Sequence, residues 1–208
     1  MRVRIKVCGM TRPDDAAAAA RLGVDAVGLV FYPKSPRYLG VEQAKALVAG
    51  VPAFVTVTAL FLDPTRAEVQ SVLDRVRVEL LQFHGSEAPD FCRSFGRPYI
   101  KAVPMGSRAD LADYARRYPD AAALLIDSHA TGAKGGTGVS FDWSSVPKVE
   151  GPPLILAGGL RPENVGTAIR TVRPYGVDVS SGVESAPGIK DMHKLAAFVH
   201  EVNNVAVA

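Results

Sequence analysis

"LILAGGLRPENVGTAIRTVRPYGVDVSSG", residues 154–182, is the stretch whose reading decides the fold. It opens on a short apolar run, "LILAGG" (154–159), passes through "RPENVGTAIRTV" (161–172), and closes on a second apolar run, "VDVSSG" (177–182). Pro162 and Glu163 suit the first turn of a helix, where proline's missing N–H costs nothing and a carboxylate meets the positive end of the helix dipole. The flanking runs are continuous rather than alternating, the pattern of strands buried on both faces of a parallel sheet. Strand, helix and strand in about 30 residues make one βαβ unit.

The same unit recurs along the chain. Strands are expected at "RIKVCG" (4–9), "AVGLVF" (26–31), "FVTVTALF" (54–61), "VELLQF" (78–83), "YIKAV" (99–103) and "ALLIDS" (123–128), ahead of the two already quoted. Helix signals open "TRPDDAAAAARLG" (11–23) and "DPTRAEVQSVLDRV" (63–76). Eight units in 208 residues average about 26 residues each, close to a compact crossover. Eight parallel strands close naturally into a (β/α)8 TIM barrel, expected here as a single domain over residues 1–208. The competing open, doubly wound sheet would carry G-x-G-x-x-G after its first strand, whereas this chain reads "CGMT" (8–11).

Composition narrows the function classes. The chain is 48% apolar and 22% charged, within the range of ordinary globular proteins and not of disordered ones. A formal charge of +3 with scattered Lys and Arg indicates neither a nucleic-acid nor a membrane partner, yet suits a small anionic substrate. The two cysteines, Cys8 and Cys92, lack the spacing of a disulfide framework or a zinc site. No secretory h-region and no apolar run of ~20 residues is present, so a cytoplasmic location is expected.

In such a barrel the active site lies where the strands end. The glycines of "AGG", Gly158 and Gly159, and the Ser180, Ser181 and Gly182 of "SSG" let backbone N–H groups approach an anion after the last two strands, although each also fits an ordinary turn. Cys8 ends the first strand before Gly9. Its position alone suits a packing role; a helix N-terminus ahead of it could instead lower its pKa and make it a base. Asp127 ends an apolar run and is expected to face the mouth, where a raised pKa would suit a general acid; a loop cap is the plainer alternative.

Arg37, in "FYPKSPRYL" (31–39), could offer its fork to a planar carboxylate or stand solvated on the surface. His84, before Gly85, could carry a proton or make a loop contact. "GAKGGTG" (132–138) reads either as a mobile lid or as an exposed connection.

Taken in order, "KVCGMT", "GLVFYPKSPRYL", "LQFHG", "LLIDS", "GGTGVSFDW", "LAGGL" and "GVDVSSGVE…PGIKD" closely resemble the phosphoribosylanthranilate isomerase family of tryptophan biosynthesis, from residue 4 to about residue 200. The resemblance implies a (β/α)8 barrel that performs an Amadori rearrangement on a phosphorylated small molecule with neither cofactor nor metal. It implies Cys8 as general base, Asp127 as general acid, Arg37 on the anthranilate carboxylate, and Gly158, Gly159, Ser180, Ser181 and Gly182 on the phosphate. His84 and Asp178 match family positions near the substrate. Leu62-Asp63 stands where many relatives carry Val-Asn, at a strand end to which no chemistry is assigned. Two rivals stay open: the related histidine-pathway aminoaldose isomerase, whose first strand would end in aspartate rather than Cys8, and a phosphate-binding barrel without catalysis. Monomer and homodimer are both compatible with the sequence.

Overall fold

In a computed structural model the chain is described over residues 2–105, 109–127 and 142–205. Eight strands, nearly every residue of which is buried or half-buried, close into one parallel barrel: β1 (Arg4–Cys8), β2 (Ala26–Val30), β3 (Thr56–Phe61), β4 (Leu80–Phe83), β5 (Tyr99–Pro104), β6 (Ala123–Asp127), β7 (Leu154–Leu156) and β8 (Gly176–Val179). Each pairs with its successor, and β1 closes the ring on β8 with Lys6 opposite Asp178. All eight expected strands are present, most of them shorter than expected, while β5 runs one residue further, to Pro104, and β8 starts one residue earlier, at Gly176. Ser128 and the "GAKGGTG" segment lie outside the described residues.

The helices form where the local chemistry allows. Helix α1 (Pro13–Arg21) starts on proline with Asp14 and Asp15 in its first turn and turns Ala16 and Ala19 inward. Helices α2 (Val41–Val48), α3 (Arg66–Leu73), α4 (Pro89–Arg93) and α5 (Leu111–Arg117) follow β2 to β5. In α3 the Thr65 hydroxyl accepts from the Glu68 N–H while the Glu68 carboxylate accepts from the Thr65 N–H, so two end donors are satisfied reciprocally. Helix α6 (Pro162–Val172) is capped by Asn164, whose Oδ1 accepts from the Arg161 N–H at 2.9 Å. Between β6 and β7 the described residues carry a single 3-10 turn at Trp143–Ser145. Helix α7 (Met192–Asn204) ends the fold.

Alternation along each strand separates two cores. Outward-facing Ile5, Val7, Val27, Leu29, Val57 and Leu81 pack against the helices with residues such as Leu47, Val69 and Phe198. Inward, Ile100, Ala102, Ala123, Leu125, Ile155 and Ala157 fill one side of the barrel. The other side is polar: Lys6, Thr58, Gln82 and Asp178 are all buried there. That asymmetry places charge along β8 and β1 and leaves β5 to β7 as an apolar wall.

One element has no counterpart in the sequence reading. After β8 a small antiparallel hairpin, β9 (Glu184–Ala186) and β10 (Ile189–Lys190), folds back over the end of the barrel. It carries two buried charges, Glu184 and Lys190, to the mouth.

Candidate active site

Strand β1 delivers Cys8 to the rim with Lys6 two residues below it on the same face. Lys6 Nζ donates to Asp178 Oδ1 at 2.9 Å, both side chains being buried. Burial disfavours the Lys6 charge, but the carboxylate of Asp178 and the thiol of Cys8 outweigh it and raise the lysine above its ordinary value, so the ammonium persists. Cys8 does not follow the expectation of a lowered thiol. It is buried, and burial raises it, with Lys6 and Lys190 opposing the rise and Asp178 adding to it.

Arg37 is not a solvated surface group. Only 8% of it is exposed, and its fork grips Glu184, Nε to Oε1 at 2.8 Å and Nη2 to Oε2 at 2.6 Å. Lys190 Nζ donates to the same Glu184 Oε1 at 2.8 Å, to the Cys8 carbonyl at 2.6 Å and to the Ser180 carbonyl at 3.3 Å. Burial would raise the Glu184 carboxyl, but the hydrogen bonds from Arg37 and Lys190 prevail and hold it below its ordinary value. The hairpin therefore ties the end of β1 to the turn after β8. Neither Glu184 nor Lys190 was singled out from the sequence; both lie in "GVESAPGIKD" (182–191), where only their charge inside a resembling motif could have pointed to them.

Across the barrel, β6 brings Asp127 to the rim, 8% exposed. His84, just past β4, lies with Nε2 3.6 Å from Asp127 Oδ2. Its other nitrogen, Nδ1, is 3.2 Å from Gln82 Nε2. With the amide N–H donating to Nδ1, the imidazole proton is on Nε2, facing the aspartate. Burial lowers the His84 pKa against the opposing pull of Asp127, which keeps the ring neutral near neutral pH.

The loop that holds His84 is braced from outside the barrel. Lys101 on β5, fully buried, pairs with Glu87 Oε2 at 2.8 Å, and Glu87 accepts from the backbone N–H groups of Asp63 and Gly85. Asp63 itself, at φ 46°, accepts from the Ser86 N–H. Asp63, to which the sequence assigned no chemistry, thus has a structural task in this loop. Left-handed φ favours Asp and Asn among non-glycine residues.

The glycine and serine turns expected to receive an anion stand side by side after β7 and β8. Gly158 and Gly159 both have positive φ, 81° and 65°, a pair of successive left-handed residues that residues with a β-carbon rarely adopt. The Asn164 side chain pins this turn by donating to the Gly159 carbonyl at 2.9 Å. After β8, Ser180 leads into a 3-10 turn at Ser181–Val183. The two loops adjoin at Gly182 and Leu160. Exposed N–H groups in such turns suit a phosphate dianion. Among the described residues no group of three His, Cys, Asp or Glu side chains is placed to hold a metal ion.

The family model described as N-(5'phosphoribosyl)anthranilate (PRA) isomerase matches residues 5–201, nearly the whole barrel. The chain belongs to this isomerase family. The N-(5'-phosphoribosyl)anthranilate isomerase of Halorhodospira halophila is 54% identical to it over 203 residues, covering 97% of each chain. That of Azotobacter vinelandii is 53% identical over 202 residues, covering 97% of this chain and 98% of the relative. Among solved structures, the Thermotoga maritima isomerase superposes with a TM-score of 0.86 at 36% identity, over 96% of this chain and 98% of that one. A family structure in complex with reduced 1-(o-carboxyphenylamino)-1-deoxyribulose 5-phosphate superposes at 0.83 with 36% identity and the same coverage. The family's fold is the barrel described above, and the compound bound in that structure carries a phosphate and a carboxylate group.

Proposed function

We propose that this family member carries out the Amadori rearrangement of N-(5-phosphoribosyl)anthranilate to 1-(2-carboxyphenylamino)-1-deoxyribulose 5-phosphate in tryptophan biosynthesis, with Asp127 as general acid and Cys8 as general base. The observation that carries the reading is the placement of Cys8 and Asp127 at the ends of β1 and β6. On the shorter way round the closed ring they are separated by β7 and β8, whose loops form the glycine and serine cradle. A substrate whose phosphate rests on Gly158, Gly159 and the 180–182 turn would present its sugar between the acid and the base.

Asp127 protonates the ring oxygen while the nitrogen lone pair expels it, opening the furanose to a Schiff base. The Cys8 thiolate then takes the C2 proton, and the C–H electrons form the C1=C2 bond as the C=N electrons return to nitrogen. The enolamine tautomerises to the ketone. Arg37 would meet the anthranilate carboxylate with the N–H groups that Glu184 leaves open. His84 steadies Asp127, and Asp178 lies beside Lys6 on the barrel floor.

Turnover of freshly prepared substrate, followed by anthranilate fluorescence, tests the assignment. Cys8→Ser and Asp127→Asn should each lower kcat by ~10²–10⁴-fold. Undiminished activity in either variant removes that residue from the mechanism, and a wild type that binds without turnover would favour the binding barrel.

Two further statements belong to this reading. A cytoplasmic location is supported by two free cysteines, Cys8 and Cys92; no helix among the described residues is long and apolar enough to cross a membrane. A homodimer is supported by Phe54, fully exposed at the end of the barrel opposite the site, beside a cavity of about 290 Å³ lined in part by Leu80, Ile100, Ile155 and Tyr175. The Thermotoga maritima relative, at 34% identity and a TM-score of 0.79 in a second structure, is described as dimeric.

A further inference from the structure

Lys6 lies within a (β/α)8 interior where a lysine is costly, and the reaction outlined above gives it no task. A buried ammonium needs a partner, and Asp178 supplies one at 2.9 Å. Yet a buried ion pair contributes little net stability compared with apolar residues of the same volume. Its place in the barrel is the informative part. Gly28, the direct partner of Cys8 on β2, leaves open the volume above Lys6. A β-carbon at Gly28 would sit 2.8 Å from Cys8 Sγ and 3.2 Å from Lys6 Nζ. Thiol and ammonium therefore converge on one point, within the ~4–6 Å over which an opposite charge favours ionisation.

The other charged groups facing Cys8 are Asp178 on β8, Lys190 on β10 and Arg37 after β2. Lys190 spends its hydrogen bonds on the Cys8 carbonyl, the Ser180 carbonyl and Glu184, and Arg37 turns its fork to Glu184. Lys6 is the cation whose Nζ faces the sulfur itself, across the space that Gly28 leaves open.

We propose that Lys6 is a positioning residue for the base: its ammonium, anchored on Asp178 and given room by Gly28, stabilises the negatively charged form of the Cys8 sulfur that takes the substrate proton. This rests on the reading of Cys8 as the base. Asp178 orients the ammonium, and Gly28 keeps the gap between the two groups free of side chain. Burial that would leave a lone thiol protonated is thereby countered from below, on the side away from the substrate.

The test is a pH titration of thiolate absorbance, read as the difference between each protein and its own Cys8→Ser counterpart so that Cys92 cancels. Wild type, Lys6→Met and the double variant Lys6→Met with Asp178→Asn are compared. In Lys6→Met the midpoint should move up by about one pH unit or more, a tenfold loss of thiolate at a given pH, and in the double variant it should move up by less, because Asp178, which adds to the rise of the thiol, is removed as well. In Lys6→Met, kcat should fall by at least about tenfold with KM little changed. The double variant removes both charges of the pair, so an unfolding effect of an orphaned Asp178 does not enter. An unmoved midpoint in Lys6→Met, or a double variant whose midpoint lies at or below that of wild type, overturns the proposal. Full activity of Cys8→Ser would instead sink the reading of Cys8 as base, a separate outcome from the titration.

Discussion

The loop after β7 and the loop after β8 press together at Gly182 and Leu160: a β-carbon on Gly182 would collide with the backbone carbonyl of Leu160. The two turns proposed to cradle the phosphate are thus held at a spacing that only glycine permits. Gly182→Ala must push the turns apart, and the phosphate loses N–H donors from one of them. KM should rise about tenfold, equivalent to ~1.4 kcal/mol of binding, with kcat less affected. Steady-state kinetics check this, and an unchanged KM would place the phosphate elsewhere.

Lys101 and Glu87 form a buried pair beneath the His84 loop. Removing the lysine leaves Glu87 as an uncompensated charge that also holds the Asp63 and Gly85 N–H groups. Lys101→Met should destabilise the fold by about 3–5 kcal/mol. Urea denaturation measures it; a loss below about 1 kcal/mol would show that Glu87 is neutral or solvated there.

Glu184 titrates below the ordinary carboxyl value of 4.5 because Arg37 and Lys190 outweigh its burial. As pH falls through 4.5 the unfolded chain takes up this proton before the folded one does. The stabilisation is therefore complete above that value and is lost progressively as the pH falls through the lower, folded value. Glu184→Gln should be less stable at neutral pH and should show a shallower loss of stability in acid. Denaturant midpoints measured across the acid range test it, and parallel curves for the two proteins would contradict the assignment.

Phe54 is fully exposed beside the cavity at the far end of the barrel. If that face joins two copies, Phe54→Glu should give a monomer in sedimentation equilibrium while turnover per chain is kept. A monomeric wild type would end the dimer reading.

Much of the fold was legible in the sequence because each strand is a short, continuous apolar run and most of the helices carry local start signals. Pro13, Thr65 and Pro162 act on residues within one turn, so no distant contact is needed to read them. The hairpin Glu184–Lys190 was not legible. It has little apolar patterning and is held by Arg37 from the loop after β2, by the Cys8 carbonyl at the end of β1 and by the Asp15 carboxylate of α1.

The site divides in the same way. Cys8, Asp127 and the glycine turns could be placed by counting strand ends, since a barrel puts every such end at one mouth. Their chemistry could not. That the rise of the Cys8 thiol on burial is opposed by Lys190 as well as by Lys6, or that Arg37 turns to Glu184, depends on residues up to 182 positions apart meeting where the ring closes. By itself the sequence determined the alternation of strands and helices and the order of groups around the rim, because those are local properties of the chain. Only the tertiary structure decided which charges face one another, because in a low-dielectric interior the partner, and not the residue type, sets which groups stay ionised.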